Sequence, residues 1–229
     1  MAKDQLKKKI KIHAFVQARQ TSKRLPNKIF LKLNNLSILE NIFLRLKNSE
    51  ILENIFFIIP SNSKNLKLKK FLEKKNYQFF CGPELNVLSR FYKASKKLKS
   101  EIIVRITADC PLVDYRLMDN MLRKFLKNKK VDYLSNTLIR SYPDGLDIEI
   151  FSKKALEIAN IRANKKYDLE HVTPYIKRNF KCLNFLNNRD LSKLRWTLDT
   201  TQDYNELSKM FLKNKINPNL SWKKILNKA

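Results

Sequence analysis

A chain of 229 residues, 43% of them hydrophobic, suffices for one large domain or two small ones around a sizeable core. The formal charge of +27 invites a nucleic-acid partner. However, the lysines, thirty-six against twelve arginines, run along almost every predicted helix and form no single patch, so no specific nucleic-acid partner is expected. No apolar run nears the roughly 18 residues of a membrane span. The lysines at 3 and 7–9 lead straight into a predicted strand without the apolar core of a signal peptide. Cys81, Cys110 and Cys182 are odd in number and lack C-x-x-C spacing, against a disulfide framework or a zinc site. A cytoplasmic, reduced protein is the expectation.

Residues 12–16 are a short apolar run bounded by polar residues, which reads as a buried strand. The loop that follows carries Arg19, Ser22, Lys23, Arg24 and Lys28 and is stopped by Pro26. A strand feeding a cationic loop is how an α/β protein presents charge to phosphate, because ligands sit outside the carboxyl ends of parallel strands. Arg offers a planar fork and Lys a mobile point charge. A solvated surface loop in a very basic chain fits the same residues.

Residues 29–33 read as a short strand, and Ser37 with Glu40 makes a capping box opening an amphipathic helix to Lys47. Strands at 55–59, 77–80, 102–106 and 131–134 alternate with helices at 64–75, 87–98 and from the Asp114 cap to Lys127. That alternation predicts a mostly parallel sheet covered on both faces. Beyond Asn136 the pattern changes to a half-buried strand at 146–151, helices at 153–161 and 168–179, and a strand at 182–186. Residues 194–198 return as a strand into the Thr200–Asp203 box, which opens a helix to Lys213, and Ser221 caps a last short helix. No repeat or flexible linker marks a boundary, so residues 1–229 are expected to form one domain.

Asp109 follows the fourth strand and Asp199 the strand near the C-terminus, which lets both carboxylates converge on one side of the sheet. Mg²⁺ takes one or two carboxylates plus substrate phosphates. A turn residue before Pro111 and a helix flank are the plainer readings of the two. Asp203 is assigned to a helix cap. Arg105 and Arg195 lie on predicted strands and need a partner if buried, either a nucleotide or an inward carboxylate. Gly82 and Gly145 suit close ligand approach or plain turns alike. His171 fits a polar contact to a ligand, a proton carrier or a structural histidine, and His13 is assigned nothing.

Six ordered blocks carry a resemblance. They are Q-A-R-Q-T-S-K-R-L-P-N-K at 17–28, V-R-I-T-A-D-C-P-L at 104–112, S-N-T at 135–137, Y-P-D-G-L-D-I-E-I-F at 142–151, E-H-V-T-P-Y-I at 170–176 and L-R-W-T-L-D at 194–199. The chain, from Ile12 to about Phe211, resembles the spore-coat polysaccharide biosynthesis family of cytidylyltransferases, related to CMP-sialate and CMP-Kdo synthetases. The resemblance implies a three-layer, nucleotide-diphospho-sugar-transferase-like α/β fold with a small insertion, about residues 136–185, for acceptor and dimer contacts. It implies transfer of CMP from CTP to an acceptor, an acidic sugar in the best-known relatives, with release of pyrophosphate, in surface polysaccharide or glycoconjugate biosynthesis.

By the same resemblance Asp109 and Asp199 hold Mg²⁺, and Arg19 and Lys28 are catalytic cations. Ala18, Ser22, Gly82, Arg90 and Arg105 surround the nucleotide. Asp144, Asp147, Glu149, His171 and Arg195 surround the acceptor, and the protein is a homodimer. A sugar-phosphate nucleotidyltransferase or a glycosyltransferase on the same fold is the alternative, and a basic nucleic-acid-binding protein is the alternative of another class. The chain departs from the family pattern where glycines are usual, at Asn27, at Asn34 and Asn35, and at Ala108. Asparagine enters left-handed conformations at modest cost, so the turns are expected to survive.

Overall fold

The computed structural model describes residues 10–228, so the lysines at 3 and 7–9 lie outside the described residues. β1 (Ile12–Gln17) leads through a 3-10 turn (Lys28–Phe30) to a small hairpin, β2 (Lys32–Leu33) and β3 (Leu36–Ser37), and then to α1 (Ile38–Leu46). There follow β4 (Asn54–Pro60), α2 (Leu66–Lys74), β5 (Phe79–Gly82), α3 (Val87–Leu98), β6 (Ile102–Thr107), α4 (Tyr115–Lys127) and β7 (Tyr133–Ser135). The remainder comprises β8 (Glu149–Ser152), α5 (Lys153–Arg162), α6 (Lys166–His171), α7 (Pro174–Asn179), β9 (Cys182–Asn184), α8 (Thr201–Lys213) and α9 (Trp222–Leu226).

Seven strands form one sheet in the order β5-β4-β1-β6-β8-β7-β9. β5, β4, β1 and β6 run parallel, β8 is antiparallel to both β6 and β7, and β9 is parallel to β7. The central strands are apolar on both faces because both faces are covered. Ile12, Ala14 and Val16 of β1 pack into a core with α1, α2, α4, α8 and α9, whereas Phe15 packs into a second core with α3, α5 and α7. This is the expected three-layer α/β architecture. Residues 136–185 contribute β8 and β9 to the main sheet as well as α5, α6 and α7. Among the described residues no helix is long and apolar enough to cross a membrane.

Both anticipated capping boxes form. Ser37 accepts from the Glu40 amide while the Glu40 carboxylate accepts from Ser37, and Thr200 and Asp203 do the same for α8. Asn27, Asn34 and Asn35 all take positive φ, at 60°, 48° and 65°, so asparagine does serve where glycine is usual.

Four local expectations change. Residues 28–30 form a 3-10 turn behind left-handed Asn27, leaving only Lys32 and Leu33 to pair as strand. The strand expected at 77–80 starts at Phe79, because Tyr77 stacks its ring on Phe43 and Phe57. The expected helix at 168–179 breaks into α6 and α7 at Val172, whose φ is 70°, and Pro174 opens the second piece where its missing N–H costs nothing. Residues 194–198 run extended but are not a sheet strand. Their backbone bonds go to single residues, with the Trp196 amide donating to Asp144 O at 2.6 Å and the Leu198 amide to Asp109 O at 2.8 Å.

Candidate active site

β1 and β6 stop in register, Gln17 opposite Thr107, so the loops that follow begin side by side. The first loop is folded back by its own backbone. The Asn27 amide donates to Gln20 O at 3.2 Å, and the Gln20 amide to Asn65 Oδ1 at 2.8 Å. Left-handed Asn27 then turns Lys28 towards the second loop.

A third segment arrives through Gly145. Its φ is 108°, and an added Cβ would lie 2.4 Å from the Trp196 carbonyl carbon, so only glycine lets the 144–147 loop seat residues 194–199. Thr197 Oγ1 donates to Asp109 O at 3.2 Å, alongside the Leu198 amide. Asp199 thus reaches Asp109 across ninety residues of sequence without needing the strand anticipated there.

The three segments enclose a cavity of about 440 Å³. Arg19, Ser22, Lys23, Arg24 and Lys28 line one side, Arg90 and Glu84 another, and Asp109, Asp199 and His171 the rest. Lys28 Nζ donates to Leu198 O at 2.7 Å and to Asp199 Oδ1 at 2.9 Å, and lies 3.6 Å from Asp109 Oδ2. Arg24 and Arg195 approach the other Asp199 oxygen at 3.0 and 3.6 Å. Asp109 Oδ1 accepts the Thr107 hydroxyl.

Two carboxylates therefore converge on one cation, and among the described residues no group of three or more His, Cys, Asp or Glu side chains offers a cage made of protein alone. That donor set fits Mg²⁺ completed by phosphate oxygens. Asp203 caps α8 and is gripped by Arg195 at 2.8 and 3.1 Å. Burial opposes its ionisation, but Arg195 and the amides of Asp199 and Thr200 outweigh burial and hold its pKa well below the ordinary range.

Of the residues expected around the nucleotide, Ser22, Arg90 and Arg105 line the cavity, whereas Ala18 and Gly82 do not. Ala18 is buried, its amide bonded to Ile58 O at 3.3 Å. Gly82 makes room for Arg90, since an added Cβ would sit 2.8 Å from Arg90 Cγ. Arg90 is 1% exposed, donates to Pro83 O at 3.2 Å and leaves Nε without a protein partner. Burial first, and then the nearby Arg19 charge, brings its pKa down to about 10.

A second cavity of about 280 Å³ shares Arg105 and Thr107 with the first and adds Thr137, Arg140, Asp147, Glu149 and Lys177. Glu149 is buried and turned towards protein groups. It accepts from Tyr133 Oη at 2.5 Å, Thr173 Oγ1 at 2.7 Å, Lys177 Nζ at 3.0 Å and Arg105. Burial would raise its pKa, but Arg105, Lys177 and the two hydroxyls outweigh burial and bring it down to about 2.

Asp147 is held by both arms of Arg140 at 2.6 and 2.8 Å. Asp144 and Arg195 pair with each other at 2.9 Å and line neither cavity. His171 lines the first cavity, its ring 4.4 Å from that of Tyr167. The expected acceptor residues are thus divided among two cavities and a supporting ion pair. Lys177 and Arg140 were not anticipated. Thr173, the N-cap of α7, and Lys177, one turn further on, both meet Glu149 and were legible only as helix spacing.

Residues 13–217 match the model of the cytidylyltransferase family. The chain is 40% identical over 211 residues to an uncharacterized protein of Methanocaldococcus jannaschii, covering 88% of this chain and 85% of that one. It is 30% identical over 217 residues to the spore coat polysaccharide biosynthesis protein SpsF of Bacillus subtilis, covering 90% and 88%. The solved structure of a cytidylyltransferase from Leptospira borgpetersenii is similar with a TM-score of 0.90 at 33% identity, covering 95% of this chain and 93% of that one. With its sequence matched over nearly its whole length, this chain belongs to the cytidylyltransferase family and is a nucleotidyltransferase.

Proposed function

We propose that this protein transfers CMP from CTP to an oxygen of an acidic sugar, with release of pyrophosphate. The observation that carries the reading is the meeting, in one cavity, of a loop rich in Arg and Lys with the carboxylates of Asp109 and Asp199, beyond the ends of β1 and β6. An acceptor hydroxyl oxygen bonds to the α-phosphorus, giving up its proton to solvent, as the bond to the bridging oxygen breaks and the electron pair leaves on pyrophosphate. Arg19 and Lys23, without an ion pair among the described residues, are free to neutralise the triphosphate. Fixed cations in such a site need no reorganisation as charge develops, and holding both reactants supplies much of the rest. Asp109 and Asp199 would hold Mg²⁺, which when bound supplies further neutralisation of phosphate charge.

The second cavity is the proposed acceptor side, because Arg105, Arg140 and Lys177 outnumber Asp147 and Glu149 there. That surplus suits a carboxylate, and the half-engaged ion pairs suit hydroxyls. The named role of SpsF in spore coat polysaccharide biosynthesis supports surface polysaccharide or glycoconjugate synthesis as the setting. Assembly as a homodimer through residues 136–185 and a cytoplasmic location belong to the same reading.

The test is a screen of the four nucleoside triphosphates against acid sugars, neutral sugars and sugar phosphates, with pyrophosphate detection. CTP with an acid sugar is the expected pair. Equal turnover of UTP would remove the cytidine preference, and a requirement for sugar phosphates would shift the assignment to a sugar-phosphate nucleotidyltransferase.

A further inference from the structure

Lys28 is already engaged. An ammonium has three N–H donors, and here Leu198 O, Asp199 Oδ1 and, at longer range, Asp109 Oδ2 surround it at 2.7, 2.9 and 3.6 Å. The side chain is 12% exposed. Its ammonium lies between the two carboxylates that the proposed function assigns to a metal. Arg24 stands on the far oxygen of Asp199 at 3.0 Å, with Arg195, which is shared with Asp144 and Asp203, at 3.6 Å, so Lys28 and Arg24 already match the charge of the two acids. A divalent cation reaching the free protein meets a pair with no net charge to offer, and a second cation cannot share the space without strong repulsion at such distances. Among the described residues Lys28 has no other acid within 4 Å. A triphosphate in the cavity would supply one, and a flexible four-carbon stem carrying a point charge suits such a transfer.

We infer that Lys28 is the resident counter-cation of the divalent-metal site: it occupies the Asp109–Asp199 pair in the free protein and leaves it when a triphosphate offers its ammonium a new partner. Metal and nucleotide then bind as a coupled pair, each raising the affinity of the other by the same factor. The inference rests on the reading in which Asp109 and Asp199 are the metal's protein ligands. It adds that Lys28 sets the order of events at that site.

The test titrates Mn²⁺ alone, followed by its paramagnetic resonance signal, into the full chain without nucleotide. Lys28→Met should bind Mn²⁺ at least about tenfold more tightly than the wild type, the size of an ordinary coupling. Adding Asp199→Asn to it should abolish the gain. Lys28→Gln, which retains a donor to Leu198 O, provides the same comparison if the Met variant is poorly folded. Without its ammonium the carboxylate pair repels itself, so both variants should melt lower than wild type and recover more of their melting temperature on adding Mn²⁺.

Mn²⁺ affinity no higher in either variant than in wild type overturns the inference, as does a gain that survives loss of Asp199. Pyrophosphate release from CTP by the wild type with Mg²⁺ is read separately. If it occurs while the Lys28 variants show no gain, the counter-cation role fails and the proposed function stands. If it does not occur, the proposed function fails while the Mn²⁺ titration still reports on Lys28.

Discussion

Arg105 and Glu149 are register partners across β6 and β8, and their side chains close an ion pair between the two cavities. Lys177 reaches the same carboxylate from α7. One buried acid therefore holds two cations that line the second cavity, with the hydroxyls of Tyr133 and Thr173 filling its remaining acceptor positions. Under the proposed function the carboxylate would act on the acceptor through the cations it orients. Without it, two neighbouring positive charges would be left to repel each other at the join of strand and helix.

Glu149→Ala strands those cations and leaves two hydroxyls without their acceptor. Breaking a buried pair from one side costs about 3 to 5 kcal/mol. Because Lys177 is partly exposed, about 3 kcal/mol is expected by denaturant titration. The pH dependence has a definite sign. Glu149 ionises at about 2 in the fold against 4.5 ordinarily, so its contribution is fully present above pH 4.5 and fades as pH falls through 4.5 towards 2. Glu149→Gln should lack that acid limb. Identical acid-unfolding curves for wild type and Glu149→Gln would contradict the account.

The two glycines predict opposite behaviour. Gly145→Ala sets a Cβ into the Trp196–Thr197 peptide at a φ of 108°, so it should lower stability by about 3 kcal/mol or more and misplace Asp199. Gly82→Ala puts a Cβ 2.8 Å from Arg90 Cγ and 3.3 Å from Phe80 Cε1, side-chain atoms and no backbone. It should fold, shift Arg90 and weaken nucleotide binding about tenfold, roughly the worth of one charge-assisted contact. Thermal melting with CTP titration separates the two, and a Gly82→Ala variant with unaltered CTP affinity would show that Arg90 does not touch the nucleotide.

Capping boxes, left-handed asparagines and apolar runs were legible because each is a local instruction, read within four residues. Residues 194–198 show where that reading stops. The alternation of apolar Leu194, Trp196 and Leu198 with polar Arg195 and Thr197 signals extended backbone, but not which groups will bond it. Asp144 and Asp109, distant in sequence, take those bonds in place of a neighbouring strand. Asp109 and Asp199 could be proposed as a pair, yet Lys28 between them could not, because its side chain is fixed by Leu198 O, an acceptor with no sequence signature. Gly82, which in sequence suits ligand approach and plain turn alike, makes room for Arg90, and only the structure places that side chain against it.

Arg19 lines the cavity without an ion pair among the described residues, which leaves its fork for phosphate oxygens. Arg19→Ala should cost about 3 kcal/mol of transition-state stabilisation, or about a hundredfold in turnover, as for loss of one preorganised donor. Arg19→Lys should recover only part of it, because an ammonium cannot bridge two oxygens. Steady-state rates with CTP and UTP check both points, and an Arg19→Ala variant at wild-type rate would remove the residue from the chemistry.

Asp109 and Asp199 lie on either side of residues 136–185, and the fold brings both against Lys28. Like charges this close need a cation between them if both are to stay ionised. On the proposed function CTP would add further negative charge, for which one ammonium is too little. Asn at either position keeps the shape and one oxygen but removes a charge. Each Asn variant should therefore fold and need more Mg²⁺. Each should also lose most of its pyrophosphate release. The double variant should be little worse than either single one, because one missing ligand already disables a shared ion and the second has nothing left to remove. Measured across a Mg²⁺ titration, additive losses would mean that the two acids act on separate steps. Full activity in EDTA would mean that they serve only to hold Lys28, in which case Asp199→Asn should lower the melting temperature and leave turnover intact.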